Sequence, residues 1–525
     1  MEKRKKELCV FWGIFALAVV VRCIRFVSVP GGVNQDEAMA GVDAWALSEY
    51  GTDRFGTWLP VHFRAWGYSQ MSVLLSYCMI PFIRIFGFGT FAIRLPMLLA
   101  GCGSVALVYL VGKKLFSGEM ALGLMLLTAI NPWHFMQSRW SLDCNLLPHV
   151  FLLGFYLLLL GLEKRRYLYF SMFFFGLTFY CYGVAVYSVP LFLLAFAGWC
   201  IWKKQLRLVE VLPCILIFSL VALPEVIVML LNYFGRPTIA TPFFTMGYFP
   251  ESIRSNDILF LNFSMEQLWS NICSIWKVCI WQVPDHLHNT LPKFGPMYHI
   301  SIPFMLLGIG KFTYDLFREK DIRRQTKMLA LWIFFLTGLW VGLITFNVNV
   351  NRINLIFFPL IFLCGYGIAV VAGSFRKAGL VVAAAYACCF VLFLNAYFTS
   401  FAEEIQRNFN VDFLELVKEA DDRSDYEKLY VTGNMDWQVN VDMAEILTQY
   451  ACKIDAAYYQ GKTNETGNRK LLPYSERYHF ILPQYQKKLN PDGLYLLHVT
   501  ELKFVPFTYR ILEQKGNFFL LCPEK

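Results

Sequence analysis

Residues 68–86 read YSQMSVLLSYCMIPFIRIF, a run of 19 residues with one proline and a single charge, Arg84. Apolar runs of about 17–25 residues are candidates to span a bilayer. Whether this one crosses decides on which side of the membrane every later loop falls. Eleven further apolar runs surround it, near 8–27, 96–112, 120–137, 145–162, 167–182, 185–202, 209–231, 298–317, 328–346, 353–373 and 379–398. Between them lie small basic clusters at 3–6, Lys113-Lys114, Lys164-Arg165-Arg166, Lys203-Lys204, 318–327 and Arg376-Lys377. Loops rich in Lys and Arg stay in the cytoplasm. All the clusters share one side only if 68–86 does not cross. The inner loops then hold eleven lysines and the outer loops two, Lys277 and Lys293. Residues 68–86 are therefore expected to lie along the outer surface as an interfacial helix. The expected fold is a polytopic α-helical membrane protein of about 11 transmembrane helices, with the N-terminus cytoplasmic and the C-terminus outside.

Composition leads to the same class. Hydrophobic residues make up 57% of the 525 and charged residues 16%, against about a quarter charged in soluble domains. One soluble core cannot absorb that surplus, because cores stop growing at a few hundred residues. The net charge of +9 does not point to nucleic acid, since the basic residues sit in small groups between apolar runs. The 15 cysteines lie mostly inside apolar runs, as at Cys364, Cys388 and Cys389, where thiols behave as small hydrophobes. None has the spacing of a zinc site. The first run follows Lys3-Arg4-Lys5-Lys6 and is succeeded by Arg22 and Arg25 rather than a small-residue cleavage site, so it is expected to remain as an uncleaved span.

Two outer loops are long, 28–95 and 232–297, and the second holds a Trp-rich amphipathic stretch at 265–283. From residue 399 charged residues appear every few positions. Strand-like runs at 429–432, 479–482, 494–499 and 518–522 alternate with helix-like runs at 413–420 and 442–450. A membrane module over 1–398 is thus expected to carry a soluble extracytoplasmic α/β domain over 399–525.

Candidate chemistry gathers at the outer ends of the spans. Asn34-Gln35-Asp36-Glu37 follows the first span and opens an amphipathic helix. Acidic residues there also serve as caps and complement the helix dipole. Arg94-Leu95-Pro96 stands at the outer mouth of the second span, where a guanidinium either snorkels to headgroups or grips a phosphate. Asn131-Pro132-Trp133, Arg139 and Asp143 share the short turn between the third and fourth spans, and Asn351-Arg352 enters the tenth. His286, His288, Asn289 and Lys293 lie in the second long loop, where His288 and Lys293 are candidates to meet an acceptor.

The order of these features resembles the GT-C membrane glycosyltransferases of the protein O-mannosyltransferase and aminoarabinose transferase superfamily. It runs from the Asp-Glu pair through an interfacial helix ending Ile85-Phe86-Gly87, then Ala92-Ile93-Arg94-Leu95-Pro96, to Asn131-Pro132 with Arg139 and Asp143. The resemblance covers 1–400 in layout and is most specific between 34 and 165. It implies a glycosyltransferase that moves a monosaccharide from a polyprenyl-phosphate donor to an extracytoplasmic glycan, lipid or protein, with inversion at the sugar carbon. It implies catalytic roles for Asp36, Glu37 and Asp143, and donor-phosphate contacts for Arg94, Arg139 and Arg352. Some relatives hold a divalent metal, for which Asp36 and Asp143 would be the ligands. One departure is local: many members carry a Lys- or His-Pro-Pro motif where this chain reads Arg64-Ala65-Trp66-Gly67-Tyr68.

The chemistry agrees with the topology. Nucleotide sugars are not available outside a cell, whereas a lipid-phosphate sugar crosses the membrane. No nucleotide-binding motif is present. The rival reading is a secondary transporter or flippase, which would keep ionisable residues near the bilayer midplane. Here Glu225 beside Pro224 is the one such residue. The expected location is a bacterial plasma membrane.

The lysine distribution carries a direct prediction. A reporter fused after Lys525 should be active outside the membrane and one fused at Lys204 inside. A cytoplasmic C-terminal fusion would place the soluble domain on the wrong side.

Overall fold

A computed structural model describes residues 2–66, 70–250, 259, 263–423, 426–466 and 469–524. Gly67 and Tyr68 of the divergent motif lie outside the described residues. The protein is an integral membrane protein, mostly helical, with a β-containing region near the C-terminus. It divides into two compact units. One comprises Met1–Phe26, Pro96–Arg236 and Ile253–Phe401; the other comprises Val27–Leu95, Pro237–Ser252 and Ala402–Lys525. Residues 27–95 thus cluster with the C-terminal residues.

The first unit is a helical bundle. Eight described helices are long and apolar enough to cross a membrane: Thr90–Leu115, Asp143–Gly161, Ala185–Trp202, Leu208–Phe234, His299–Arg318, Ile322–Ile344, Asn354–Ser374 and Lys377–Phe398. Three more of the eleven apolar runs are also helical. Glu2–Cys23 opens on a charged turn, while Gly118–Ile130 and Arg166–Leu177 have 13 and 12 residues. At about 1.5 Å per residue the last two reach roughly 20 Å, short of a hydrocarbon core of about 30 Å. Both stop at turns, Asn131-Pro132 and the 3₁₀ turn Thr178–Tyr180.

Aromatic and small residues hold the bundle together. Phe151, Phe155, Phe175, Phe192 and Phe334 form one buried cluster, with the Phe151 and Phe334 rings 4.4 Å apart. Tilted and edge-on ring pairs add attraction that apolar lipid cannot match. The Ile302–Arg318 and Phe357–Ser374 helices cross at Gly308 and Gly367. A Cβ on Gly308 would collide with the Leu363 carbonyl oxygen, and one on Gly367 with that of Phe304. Small residues let helix backbones approach this closely in a membrane.

In the second unit the Gln35–Tyr50 helix packs on the Leu74–Phe86 helix. The latter has 13 residues, shorter than the roughly 20 that span a bilayer. It buries Leu75, Ser76, Met79 and Ile83, a helical-period stripe, and Ser76 Oγ donates to the Ala40 carbonyl at 3.0 Å. The Met265–Trp276 helix, expected from the Trp-rich stretch, belongs to the first unit. There Asn271 Nδ2 donates to the Leu343 carbonyl at 2.9 Å.

The C-terminal part of the second unit is built on a five-stranded mixed sheet. Its order is Tyr478–Ile481, Leu429–Thr432, Leu494–His498, Phe518–Pro523, Tyr509–Lys515; the first three run parallel and the last two join antiparallel. The Val411–Asp422 and Val441–Ala451 helices pack against it. Parallel neighbours need helical crossovers, which is why the strand-like and helix-like runs alternate. The edge strand Tyr509–Lys515 was not expected. Its Arg510, Glu513 and Lys515 hide the apolar alternation, and its register shifts between Ile511 and Glu513. Charge and irregularity of this kind protect sheet edges.

The glycine crossing makes a prediction. Gly308→Val or Gly367→Val should force the two helices apart and sharply lower the yield of folded protein in detergent. Gly103→Val, where an added Cβ meets nothing within 4 Å, should leave it near normal. Size-exclusion profiles of the three variants test this.

Candidate active site

Asp36 and Glu37 sit side by side in the second unit but have different surroundings. Asn34 caps the Gln35–Tyr50 helix, its side chain accepting from the Asp36 amide at 3.1 Å. Asp36 therefore does not itself serve as the cap. It is half-buried, and its Oδ1 accepts from Trp66 Nε1 at 2.6 Å. Glu37 turns the other way and is fully buried against Arg94, with 0% of either side chain exposed.

Arg94 is fully engaged by protein. Nε donates to Glu37 Oε1 at 2.8 Å and Nη2 to Glu37 Oε2 at 2.7 Å. The other donors reach the carbonyls of Val27, Pro30 and Gly32 at 3.3, 2.7 and 2.8 Å. All five N–H groups of the guanidinium are thus committed. As folded, its five donors are spent on protein oxygens. It ties the 27–32 segment to the start of the Gln35–Tyr50 helix.

Arg139 in the first unit is committed in the same way. It is buried, with Nε on the Tyr397 hydroxyl at 3.2 Å and its other donors on the carbonyls of Val21, Arg22, Ile24 and Arg25. These carbonyls include the unpaired ones at the C-terminus of the Glu2–Cys23 helix, a site that favours a cation. Arg139 therefore caps the Glu2–Cys23 helix. Arg22 completes the anchor, donating to Ser138 Oγ at 3.1 Å and the Ala129 carbonyl at 3.0 Å, with His134 Nδ1 at 2.8 Å.

The remaining expected residues border a ring of polar side chains in the first unit. Asp143 starts the Asp143–Gly161 helix, is 6% exposed, and accepts from the Cys144 amide. Two residues on, Asn145 Oδ1 accepts from Asn354 Nδ2 at 2.9 Å, while Asn354 Oδ1 accepts from Trp133 Nε1 at 2.9 Å. Asp285 accepts from the Val350 amide and from Asn289 Nδ2, and Asn289 Oδ1 in turn accepts from Gln137 Nε2 at 3.4 Å. Gln137 Oε1, Asn145 Nδ2, Thr290 Oγ1 and Asn351 Oδ1 are buried here without a hydrogen-bond partner. Buried polar atoms left this way favour a polar ligand.

Arg352 is half-buried, with Nη1 on the Phe346 carbonyl at 2.7 Å. Lys293 is exposed. His288 stacks on His286 at 5.2 Å and meets the Trp140 ring edge-on at 5.3 Å. Burial, and then His286, push its pKa down to about 3, so it is a neutral imidazole. Among the described residues no three His, Cys, Asp or Glu side chains assemble as a metal site.

Sequence reasoning missed Trp66, Asn354, Asp285 and Gln137. Trp66 had a signal, standing where the superfamily's Pro-Pro motif would be. The ring residues are single polar side chains scattered from 137 to 354, with no spacing to connect them.

The comparisons with known proteins fit this architecture. The family model described as dolichyl-phosphate-mannose-protein mannosyltransferase matches residues 71–228. The structure of ArnT from Cupriavidus metallidurans bound to undecaprenyl phosphate is similar over 97% of both chains, with a TM-score of 0.60 at 12% identity. The archaeal oligosaccharyltransferase AglB from Archaeoglobus fulgidus, in complex with an inhibitory peptide and a dolichol-phosphate, is matched over 88% of this chain with a TM-score of 0.50 at 13% identity. This chain spans 66% of that longer one. No curated protein matches in sequence. The fold is that of the GT-C membrane glycosyltransferases.

Glu37 and Arg94 make a stability prediction. Glu37→Gln or Arg94→Met should each leave a buried charge unpaired and destabilise the protein by about 3–5 kcal/mol. Glu37→Met with Arg94→Leu should cost less than the sum of the single changes. Thermal unfolding in detergent measures this. An Arg94 that only bound phosphate would leave the unfolding midpoint unchanged.

Proposed function

We propose that the protein transfers a monosaccharide from a polyprenyl-phosphate donor to an extracytoplasmic glycan, lipid or protein, by inverting displacement, in a bacterial plasma membrane with its N-terminus cytoplasmic. The observation that carries the reading is the division of labour between the two adjacent carboxylates. Glu37 is neutralised by Arg94 inside the protein. Asp36 is half-buried, oriented by Trp66, and stands in the first turn of an outer-loop helix. Undecaprenyl phosphate and dolichol-phosphate in the similar structures support a lipid-phosphate donor.

On this reading the Asp36 carboxylate accepts the proton of the acceptor hydroxyl as its oxygen attacks the anomeric carbon from the face opposite the phosphate. The carbon–oxygen bond to the phosphate breaks, and the polyprenyl phosphate leaves with the bonding electron pair. Cations stabilise that leaving group. Arg352 and Lys293 are the candidates for this task, since Arg94 and Arg139 are spent on protein oxygens. Asp143 and the neutral His288 border the polar ring that would receive the headgroup or acceptor.

Asp36→Asn tests the base. The amide keeps an oxygen for Trp66 Nε1, and the Asn34 cap is untouched. Folding should therefore change by no more than the helix-dipole term of about 0.3–1 kcal/mol. Turnover should fall by about 10²–10⁴-fold. Activity within a few-fold of wild type, at normal expression, would return Asp36 to a structural role.

A further inference from the structure

The second unit also contains a cavity of about 230 Å³ lined by the 54–66 segment, the Val441–Ala451 helix and Tyr459. We propose that it is a subsite for a sugar unit of the acceptor, a reading that rests on Asp36 as the base. One side of the cavity is aromatic, with Trp66, Tyr459 and Phe55; the Arg54 and Arg64 guanidinium groups lie 4.6 and 5.4 Å from the centroid of the Phe55 ring. The other side carries Asp442, Glu445 and Gln449. Two arginines against two carboxylates leave the lining near neutral, and Arg54 is further paired with Asp43. A phosphate site would need surplus positive charge. A neutral sugar ring instead presents C–H faces to aromatic rings and hydroxyls to carboxylate and amide acceptors. The volume is below the roughly 300–1,000 Å³ of pockets for drug-sized molecules, which suits a single ring rather than a lipid or a folded partner.

Gln449 supplies the independent pointer to a ligand. It is 2% exposed. The Tyr474 hydroxyl donates its only proton to Glu445 Oε1 at 2.8 Å and accepts from Gln449 Nε2 at 3.1 Å. That pairing fixes which end of the amide faces Tyr474. It leaves Gln449 Oε1 buried with no hydrogen-bond partner. A ligand hydroxyl donating to this oxygen would satisfy it.

Trp66 gives the subsite its place in the reaction. It lines the cavity, and its Nε1 also donates to Asp36 Oδ1 at 2.6 Å. A sugar seated against Trp66 lies beside the carboxylate that takes the acceptor's proton. The acceptor is therefore glycan-bearing, and the soluble C-terminal part of the chain helps to choose it.

The test is saturation-transfer NMR on the full chain in lipid nanodiscs, titrated with methyl α-mannopyranoside, methyl β-glucopyranoside and methyl β-N-acetylglucosaminide. At least one glycoside should bind, and should still bind when a polyprenyl-phosphate sugar is present. Gln449→Met and Tyr459→Ala should each weaken it by about tenfold or more, the effect of losing one well-placed contact. Absence of binding by all three, equal binding by both variants, or displacement by the donor would overturn the proposal. If neither variant folds, the wild-type and donor-competition titrations decide it. The readout needs no turnover, and Asp36→Asn should still bind glycoside. Failure of the subsite and failure of Asp36 as base are thus separate results.

Discussion

The buried ion pair between Glu37 and Arg94 is the constraint on which the proposed site depends. Neither side chain is exposed. Removing two charges from water is costly, and only close bidentate geometry with every remaining donor satisfied offsets it. Here the backbone carbonyls of Val27, Pro30 and Gly32 complete the set. The consequence is positional: the segment 27–32 is pinned, the Gln35–Tyr50 helix starts at a defined place, and Asp36 stands beside the pair with Trp66 as a hydrogen-bond donor. Arg139 performs a parallel task in the other unit, gathering the last carbonyls of the Glu2–Cys23 helix. Both arginines were candidates for phosphate. Both are better described as clamps on the irregular backbone that follows a membrane helix, where unpaired carbonyls are expensive.

Much of the fold was legible in the sequence because the bilayer imposes a one-dimensional rule. Apolar length located eleven helices, and the lysine count set residues 68–86 apart from them before any geometry was known. The soluble region was legible for a similar reason: Leu429–Thr432 and Leu494–His498 are buried on both faces and read as continuous apolar runs. The edge strand Tyr509–Lys515 was not, because an edge carries charge where a central strand carries hydrophobes. Two of the eleven runs form helices of only 12 and 13 residues, because the apolar sequence around each runs on into the following turn.

The site was legible only in part, for a reason that applies widely. A sequence shows which residues carry charge at the outer ends, but not whether that charge is spent on protein. Asp36 and Glu37 look equivalent in sequence; one faces Trp66 and the other a buried guanidinium. Arg94 and Arg139 likewise look like free cations until their five donors are traced. Trp66, Gln449 and Asn354 carry no charge and no motif, and their roles come from partners far away in the chain.

A GT-C fold, a ring of polar side chains in the first unit and one oriented carboxylate underlie the proposal that this chain takes its sugar from a lipid in the membrane. The most direct measurement is release of labelled sugar by the purified protein, supplied in parallel with a polyprenyl-phosphate sugar and with the corresponding nucleotide sugar. The account predicts turnover of the lipid-linked donor, slowly to water and faster once an acceptor is added, and none of the nucleotide sugar. Turnover of the nucleotide sugar in the absence of any lipid carrier would contradict it.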